Sequence, residues 1–148
     1  MSAETKPGGG FAIDHVGVVV PDLDAASAFF VEALGFRPVR SATLGGPEDR
    51  LAETFGAPGE ATIRVAFFET EGGMVELLEW TAPEAATDVR APQDAGTAHL
   101  ALSVADVEAT AAQLAAVPGV VVFERHRRGF IYVRTPWGLI LQLVARTP

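Results

Sequence analysis

The chain has 148 residues, of which 49% are hydrophobic and 20% are charged, so it can bury a core and is not expected to be disordered throughout. Its formal net charge of −8 argues against nucleic acid as a partner, and the absence of cysteine excludes disulfides and thiolate metal sites. Because it has neither a secretory h-region nor roughly 18 consecutive apolar residues, we expect a cytoplasmic protein without a membrane segment.

The first half of the chain predicts one strand, one long helix and three further strands. Residues 1–10 end in three glycines and are expected to be disordered. An apolar stretch then begins at His15, Asp22 is placed to cap a helix, and Gly35 is placed to end it. The later predicted elements are strands over 36–42, 61–69 and 74–80, with a short inserted helix over 48–55 that stops at Gly56.

The second half repeats this pattern. His99 aligns with His15 without a gap, Asp106 aligns with Asp22, and Gly119 ends the second helix. Strands are predicted over 120–124, 130–134 and 139–144. The sequence therefore predicts an α+β fold of two βαβββ modules, with these boundaries: 11–81 for the first module, 82–96 for a linker and 97–146 for the second module.

Two histidines occupy equivalent positions beside very small residues. Strand alternation puts His15 with Gly17 and His99 with Ala101, in each case on the face opposite the helix. A single histidine on an apolar strand is more often a satisfied core residue, but the repetition favours a shared function. The space beside each imidazole is suited to a ligand.

The last strands of the two halves add oxygen donors at matching positions, Glu76 and Gln142. A carboxylate in an apolar strand is costly unless it is paired or binds a metal. The alternative for Glu76 is a salt bridge to Arg64 or Arg134. Two imidazoles, a carboxylate and an amide oxygen suit a divalent ion such as Zn²⁺, Ni²⁺, Co²⁺ or Mn²⁺.

The doubled module opens each time with His-x-small and closes with Gly-x-x-x-[Glu/Gln]-Leu, and in this it resembles the vicinal-oxygen-chelate family over residues 11–145. That family includes glyoxalase I, methylmalonyl-CoA epimerase, extradiol dioxygenases and antibiotic-resistance proteins. The resemblance implies a cup-shaped half-barrel of mixed sheet, a metal held by His15, Glu76, His99 and Gln142, and a homodimer.

The ligand set bears on the reaction. Ring-cleaving members of the family require a carboxylate in the last strand, so Gln142 argues against a ring-cleaving activity for this chain. We expect a glyoxalase- or epimerase-like isomerase or lyase that removes a proton next to a carbonyl of a small-molecule substrate. Glu76 is the first candidate for the base. Glu48 is a second, with a solvated surface charge as its alternative.

A non-catalytic small-molecule binding protein of the same fold remains the alternative function, and oxygen-dependent tailoring chemistry is a further one. Trp80, Phe68 and Tyr132 are candidates for lining a cavity, although such aromatics are more often plain core. Arg127 and Arg128 belong to the one basic cluster, which is either an anion clamp or a solvated hairpin.

Overall fold

The computed structural model describes residues 11–57 and 60–147. The predicted disorder of residues 1–10 lies outside this described part. In chain order the elements are β1 (His15–Val19), α1 (Leu23–Ala28, continued by a π-helical segment Phe29–Ala33), β2 (Arg37–Gly45), α2 (Leu51–Phe55), β3 (Thr62–Thr70), β4 (Gly73–Ala82), β5 (His99–Val104), α3 (Val107–Ala115), β6 (Val121–Val122), β7 (Ile131–Arg134) and β8 (Ile140–Ala145).

Two four-stranded sheets have the same topology. Their strand orders are β1-β4-β3-β2 and β5-β8-β7-β6. In each sheet the first strand pairs parallel with the last, and the remaining pairs are antiparallel. The predicted α+β class and the two βαβββ modules are therefore confirmed, with α2 as the insertion between β2 and β3.

The chain divides into two compact units. The first contains the described residues up to Val31 and from Gly35 to Glu84, and the second contains Glu32–Leu34 and the chain from Ala85 onward. Residues 83–98, between β4 and β5, contain no helix or strand. No helix within the described residues is long and apolar enough to cross a membrane. The predicted module boundaries stay a prediction.

The first helix of each unit begins where the sequence predicts. Asp22 and Asp106 have extended backbones, and their carboxylates accept the backbone N–H groups of Ala25 and Ala109, each at 2.9 Å. These bonds satisfy donors that a helix start leaves unpaired. The segment after α1 ends at Gly35, whose φ of +70° favours glycine.

In the first unit, α1 packs against β3 and β4. The buried side chains on this face include Phe30, Phe68 and Leu77, and the rings of Phe30 and Phe68 lie 5.8 Å apart. The opposite face of the same sheet carries a second apolar cluster, formed around Leu51 of α2 with Ile63, Val65, Phe67 and Leu78. The insertion thus covers part of the face that α1 leaves open.

In the second unit, α3 packs against β6, β7 and β8. The helix contributes Val107, Ala111 and Leu114, which are all buried. The strands contribute buried residues in alternation: Ile131, Val133, Leu141 and Leu143. The helix ends at Ala115, and Gly119 follows with a φ of +82°.

Because Phe68 is 2% exposed and packs on Phe30, we expect Phe68→Ala to lower the free energy of unfolding by about 3–5 kcal/mol. Urea denaturation measures this change. Phe123→Ala is the matched control, since Phe123 is 43% exposed and its truncation leaves no buried cavity. Equal losses in the two variants would contradict the assignment of Phe68 to the core.

Candidate metal and substrate site

The register between β1 and β4 brings the first histidine beside the carboxylate. Gly17 lies opposite Glu76 and His15 lies opposite Met74, so the side chains of His15 and Glu76 share the face that α1 does not cover. A Cβ atom on Gly17 would lie 3.4 Å from Glu76 Oε2. Gly17 therefore places no side chain between His15 and Glu76.

The imidazole of His15 lies between two carboxylates. Its Nδ1 is 2.6 Å from Oδ2 of Asp14, and its Nε2 is 3.2 Å from Oε2 of Glu76. The hydrogen bond to Asp14 and, less strongly, the charge of Glu76 raise the pKa of His15 above its ordinary value of 6.5, although desolvation opposes them. The Glu76 side chain is 17% exposed, whereas that of Asp14 is 91% exposed.

This pair fits two ligands of one metal ion. Donor atoms at about 2.0–2.1 Å from a tetrahedral or octahedral ion lie about 2.9–3.4 Å from each other, and the observed Nε2–Oε2 separation is 3.2 Å. Asp14 holds Nδ1, which leaves Nε2 facing Glu76, as in a carboxylate–histidine–metal arrangement. Within the described part of the chain, however, no three His, Cys, Asp or Glu side chains form a complete metal cluster.

The second unit reproduces the arrangement with different chemistry. Ala101 lies opposite Gln142 and His99 lies opposite Ile140, so His99 and Gln142 share a face of their sheet. His99 contacts Tyr132 edge-on at a centroid distance of 5.5 Å, and Tyr132 lies opposite Gln142. In the first unit His15 contacts Phe67 in the same way at 5.4 Å, and Phe67 lies opposite Glu76. The repeat thus extends to side-chain contacts.

The second unit also has a cleft beside its histidine, with a volume of about 380 Å³. It is lined by aromatic and aliphatic side chains together with the imidazole: Pro92, Thr97, Ala98, His99, Phe123, Tyr132 and Ile140. The lining offers an apolar surface with few polar groups, which is typical of sites for small organic molecules. Tyr132 lines this cleft, and its role in substrate binding stays a prediction.

Arg64, which the sequence offered as an alternative salt-bridge partner of Glu76, forms ion pairs with other carboxylates. Arg64 lies 2.7 Å from Asp24 and 3.6 Å from Glu79, and Glu79 also accepts the backbone N–H of Leu23 at 2.5 Å. These contacts hold the start of α1 on the other face of the sheet. Arg134 belongs to the second unit, where its guanidinium lies 5.8 Å from the Phe123 ring.

The other candidates from the first unit lie in different surroundings. Phe68 packs in the core under α1, on the face away from His15, because Phe67 takes the position opposite Glu76. Trp80 is on the His15 face but packs edge-on against Phe55 of α2 at 5.3 Å. Glu48 is exposed in the turn that precedes α2.

The basic cluster lies in the hairpin between β6 and β7, and both Arg127 and Arg128 are exposed. Arg128 and Arg125 line a cleft that also contains Asp106 and Glu108. Arg125 pairs with Glu108 at 3.1 Å. These carboxylates oppose the binding of an anion there, and an anion clamp at Arg127 and Arg128 stays a prediction.

Three residues near His15 escape sequence reasoning. Asp14 could not be predicted, because nothing in an isolated sequence shows that its side chain contacts the imidazole of the adjacent His15. Phe67 and Phe68 are adjacent aromatics, so alternation alone does not say which one lies on the His15 face. Arg40, whose guanidinium lies 4.0 Å from the centre of the Phe67 ring, depends on an irregularity in β2.

Comparison with known proteins places this geometry in a family. The model of the Glyoxalase/Bleomycin resistance protein/Dioxygenase superfamily matches residues 12–143, and the chain belongs to that superfamily. The resemblance noted in the sequence is thus confirmed.

Individual relatives are consistent with this assignment. The chain is 35% identical to a 2-epi-5-epi-valiolone epimerase from Actinomyces sp., with 92% of this chain and 80% of the relative covered. A glyoxalase family protein from Bacillus cereus has the same fold, with a TM-score of 0.79 at 21% identity over 93% of this chain and 95% of that one. The fosfomycin resistance protein FosX from Listeria monocytogenes, solved with Mn(II) and sulfate, gives a TM-score of 0.59 at 20% identity over 92% and 93%.

In the metal-free protein, we expect Asp14→Asn to lower the pKa of His15 toward 6.5, because the hydrogen bond to Asp14 is the largest cause of the raised value. A raised pKa in the folded state gives stability that is fully present below about pH 6.5 and is lost as the pH rises through the folded value. NMR titration of the imidazole measures the shift. Asp88→Asn, an exposed change in the segment before β5, is the control. An unchanged midpoint in Asp14→Asn would refute the Asp14 assignment.

Proposed function

We propose that this chain is a metal-dependent epimerase that removes and returns a proton on the carbon next to the carbonyl of a small oxygenated substrate. The observation that carries the proposal is the His15–Glu76 pair, whose donor atoms lie 3.2 Å apart on the face of the first sheet that α1 does not cover. The 35% identity to an epimerase supports the same reaction class. We propose a polyhydroxylated cyclic ketone related to 2-epi-5-epi-valiolone as the substrate.

The proposed metal ligands are His15, Glu76, His99 and Gln142, with Glu76 acting as ligand and base in turn. When bound, a divalent ion would supply Lewis acidity to a carbonyl and a neighbouring hydroxyl of the substrate. The Mn(II) in the FosX neighbour supports a divalent ion as the cofactor in this fold. A homodimer and a cytoplasmic location also stay proposals.

The residues of the chain divide the remaining work. Glu76 takes the proton from the carbon next to the carbonyl, and the electron pair of that C–H bond passes toward the carbonyl oxygen. A water molecule then donates a proton to the opposite side of the carbon, which inverts the centre and restores the carbonyl, and Glu76 gives up its proton to solvent. Asp14 holds the His15 ring in place from Nδ1.

Apolar surroundings favour Glu76 as the base. Its strand neighbours across the sheet are Phe67 and Gly17, and only 17% of its side chain is exposed. Glu48 is exposed in the turn before α2, and no contact like that between Glu76 and His15 holds its carboxylate in place.

A binding protein without catalysis is the second candidate. The aromatic lining of the cleft at His99 favours it, because stacking on Phe123 and Tyr132 would hold a small molecule without any proton transfer. The two candidates differ in one observable, exchange of the substrate's carbon-bound proton with solvent.

We expect Glu76→Gln to slow deuterium uptake by 2-epi-5-epi-valiolone in D₂O about 10²- to 10⁴-fold, since the variant lacks the base. Proton NMR follows the exchange. Glu48→Gln is the matched control and should exchange at the wild-type rate. Loss of exchange in Glu48→Gln with retention in Glu76→Gln would transfer the role to Glu48. Binding without exchange in the wild-type protein would favour the binding function.

A further inference from the structure

Arg40 lies on the same face as the His15–Glu76 pair, one side chain away from it. The register runs from Gly17 to Glu76 in β4, from Glu76 to Phe67 in β3, and from Phe67 to Arg40 in β2. These residues form one row across the sheet. Residues opposite each other in paired strands point to the same face, so the row ends in a guanidinium.

The ring of Phe67 contacts both the guanidinium of Arg40 and the imidazole of His15. The guanidinium of Arg40 lies 4.0 Å from the ring centre, and the imidazole of His15 contacts the same ring edge-on at 5.4 Å. Phe67 itself is 9% exposed and belongs to the apolar cluster under α2, which holds its ring in place. A cation over an aromatic face is favourable and limits the motion of a long side chain.

Arg40 retains its hydrogen-bonding capacity. Its side chain is exposed. Among the described residues, no carboxylate lies close enough to the Arg40 guanidinium to form an ion pair, for which the limit is 4.0 Å. The other arginine of β2, Arg37, shows the contrast, because it is paired with Glu69 on the same face. An unpaired guanidinium presents several N–H donors in a planar fork, which suits the oxygens of a ligand.

We propose that Arg40 determines substrate specificity by donating hydrogen bonds to the substrate oxygens that lie farthest from the His15–Glu76 pair. This inference rests on the proposed function, since it takes the reacting carbonyl to be held at that pair. Neighbouring strands are about 4.8 Å apart, so the backbones of Glu76 and Arg40 are separated by about 10 Å. A six-membered ring with hydroxyls on both sides is comparable in length to this separation, so its far oxygens come within reach of the Arg40 guanidinium when the carbonyl is held at Glu76.

Length discrimination follows from the geometry. Hydroxyacetone has the same adjacent carbonyl and hydroxyl but is too short to reach the guanidinium, whereas a polyhydroxylated cyclic ketone is long enough. The site therefore selects compact molecules with oxygens at both ends. Arg40 is a binding residue in this account and takes no part in the proton transfer.

The test compares a long and a short substrate in two matched variants of the metal-loaded protein. For 2-epi-5-epi-valiolone, Arg40→Met should lower kcat/KM for deuterium exchange about tenfold or more, mainly through KM. For hydroxyacetone, the same variant should stay within about twofold of wild type, which also shows that it is folded and active. Arg37→Met, on the same strand and face, should leave both substrates at wild-type values.

Equal losses for the two substrates in Arg40→Met would overturn the inference, because Arg40 would then act on the reacting end. Unchanged values for both would overturn it as well. If the wild-type protein exchanges neither substrate, the proposed function fails, and calorimetric binding of 2-epi-5-epi-valiolone then tests Arg40 separately. No binding, or equal affinity in wild type and Arg40→Met, would refute the role of Arg40.

Discussion

The candidate site depends on the parallel register between β1 and β4. Side chains of a strand alternate between faces, so a slip of one residue would move His15 to the helix face and leave Glu76 without it. On the helix side of the sheet, Val20 at the end of β1 is buried and donates its backbone N–H to the carbonyl of Leu78 at 2.8 Å, which continues this register. Packing on the helix face therefore determines which side chains lie next to each other on the opposite face. The same relation holds in the second unit between β5 and β8, where Leu141 and Leu143 are fully buried.

The cost of a carboxylate in an apolar strand explains much of the local structure. Glu76 is mostly buried, and a charged group in such a place needs a partner. His15 supplies a positive charge when it is protonated. The pKa of His15 is raised because Asp14 and Glu76 stabilise the protonated imidazole. A divalent ion would take the place of the proton and satisfy both residues at once. In the second unit the neutral Gln142 takes the place of the carboxylate, and Phe123 and Tyr132 line a cleft together with His99.

Much of the fold was predictable because the sequence contains the same module pattern twice. The repeat of His, Asp and Gly at matching spacings identified both modules, and the capping hydrogen bonds of Asp22 and Asp106 confirm the helix starts. The bounds of β6 were less predictable. The pattern suggested 120–124, whereas β6 covers only Val121–Val122, although the N–H of Phe123 still bonds to the carbonyl of Tyr132 at 3.0 Å. The inserted helix is likewise shorter than predicted, since Asp49 bonds back to the N–H of Gly45 and holds the chain in a turn.

The neighbours of the site needed the structure. In β2 the register shifts between Pro38 and Arg40, so Arg37 and Arg40 share a face although they are three residues apart. Regular alternation would have put them on opposite faces. Phe67 and Phe68 form an aromatic pair whose phase is set by pairing with β4 and by α2, both distant in sequence. Local patterns carry no information about either.

The most direct test of the account is the metal content of protein purified without chelator or nickel-affinity steps, measured by elemental analysis. The account predicts about one divalent ion per chain, lost in His15→Ala and in His99→Ala. It also predicts that the ion is retained in His126→Ala, because the third histidine of the chain stacks on Phe130 in the exposed hairpin. No metal in the wild-type protein, and none taken up from a panel of divalent ions, would contradict the metal-dependent mechanism.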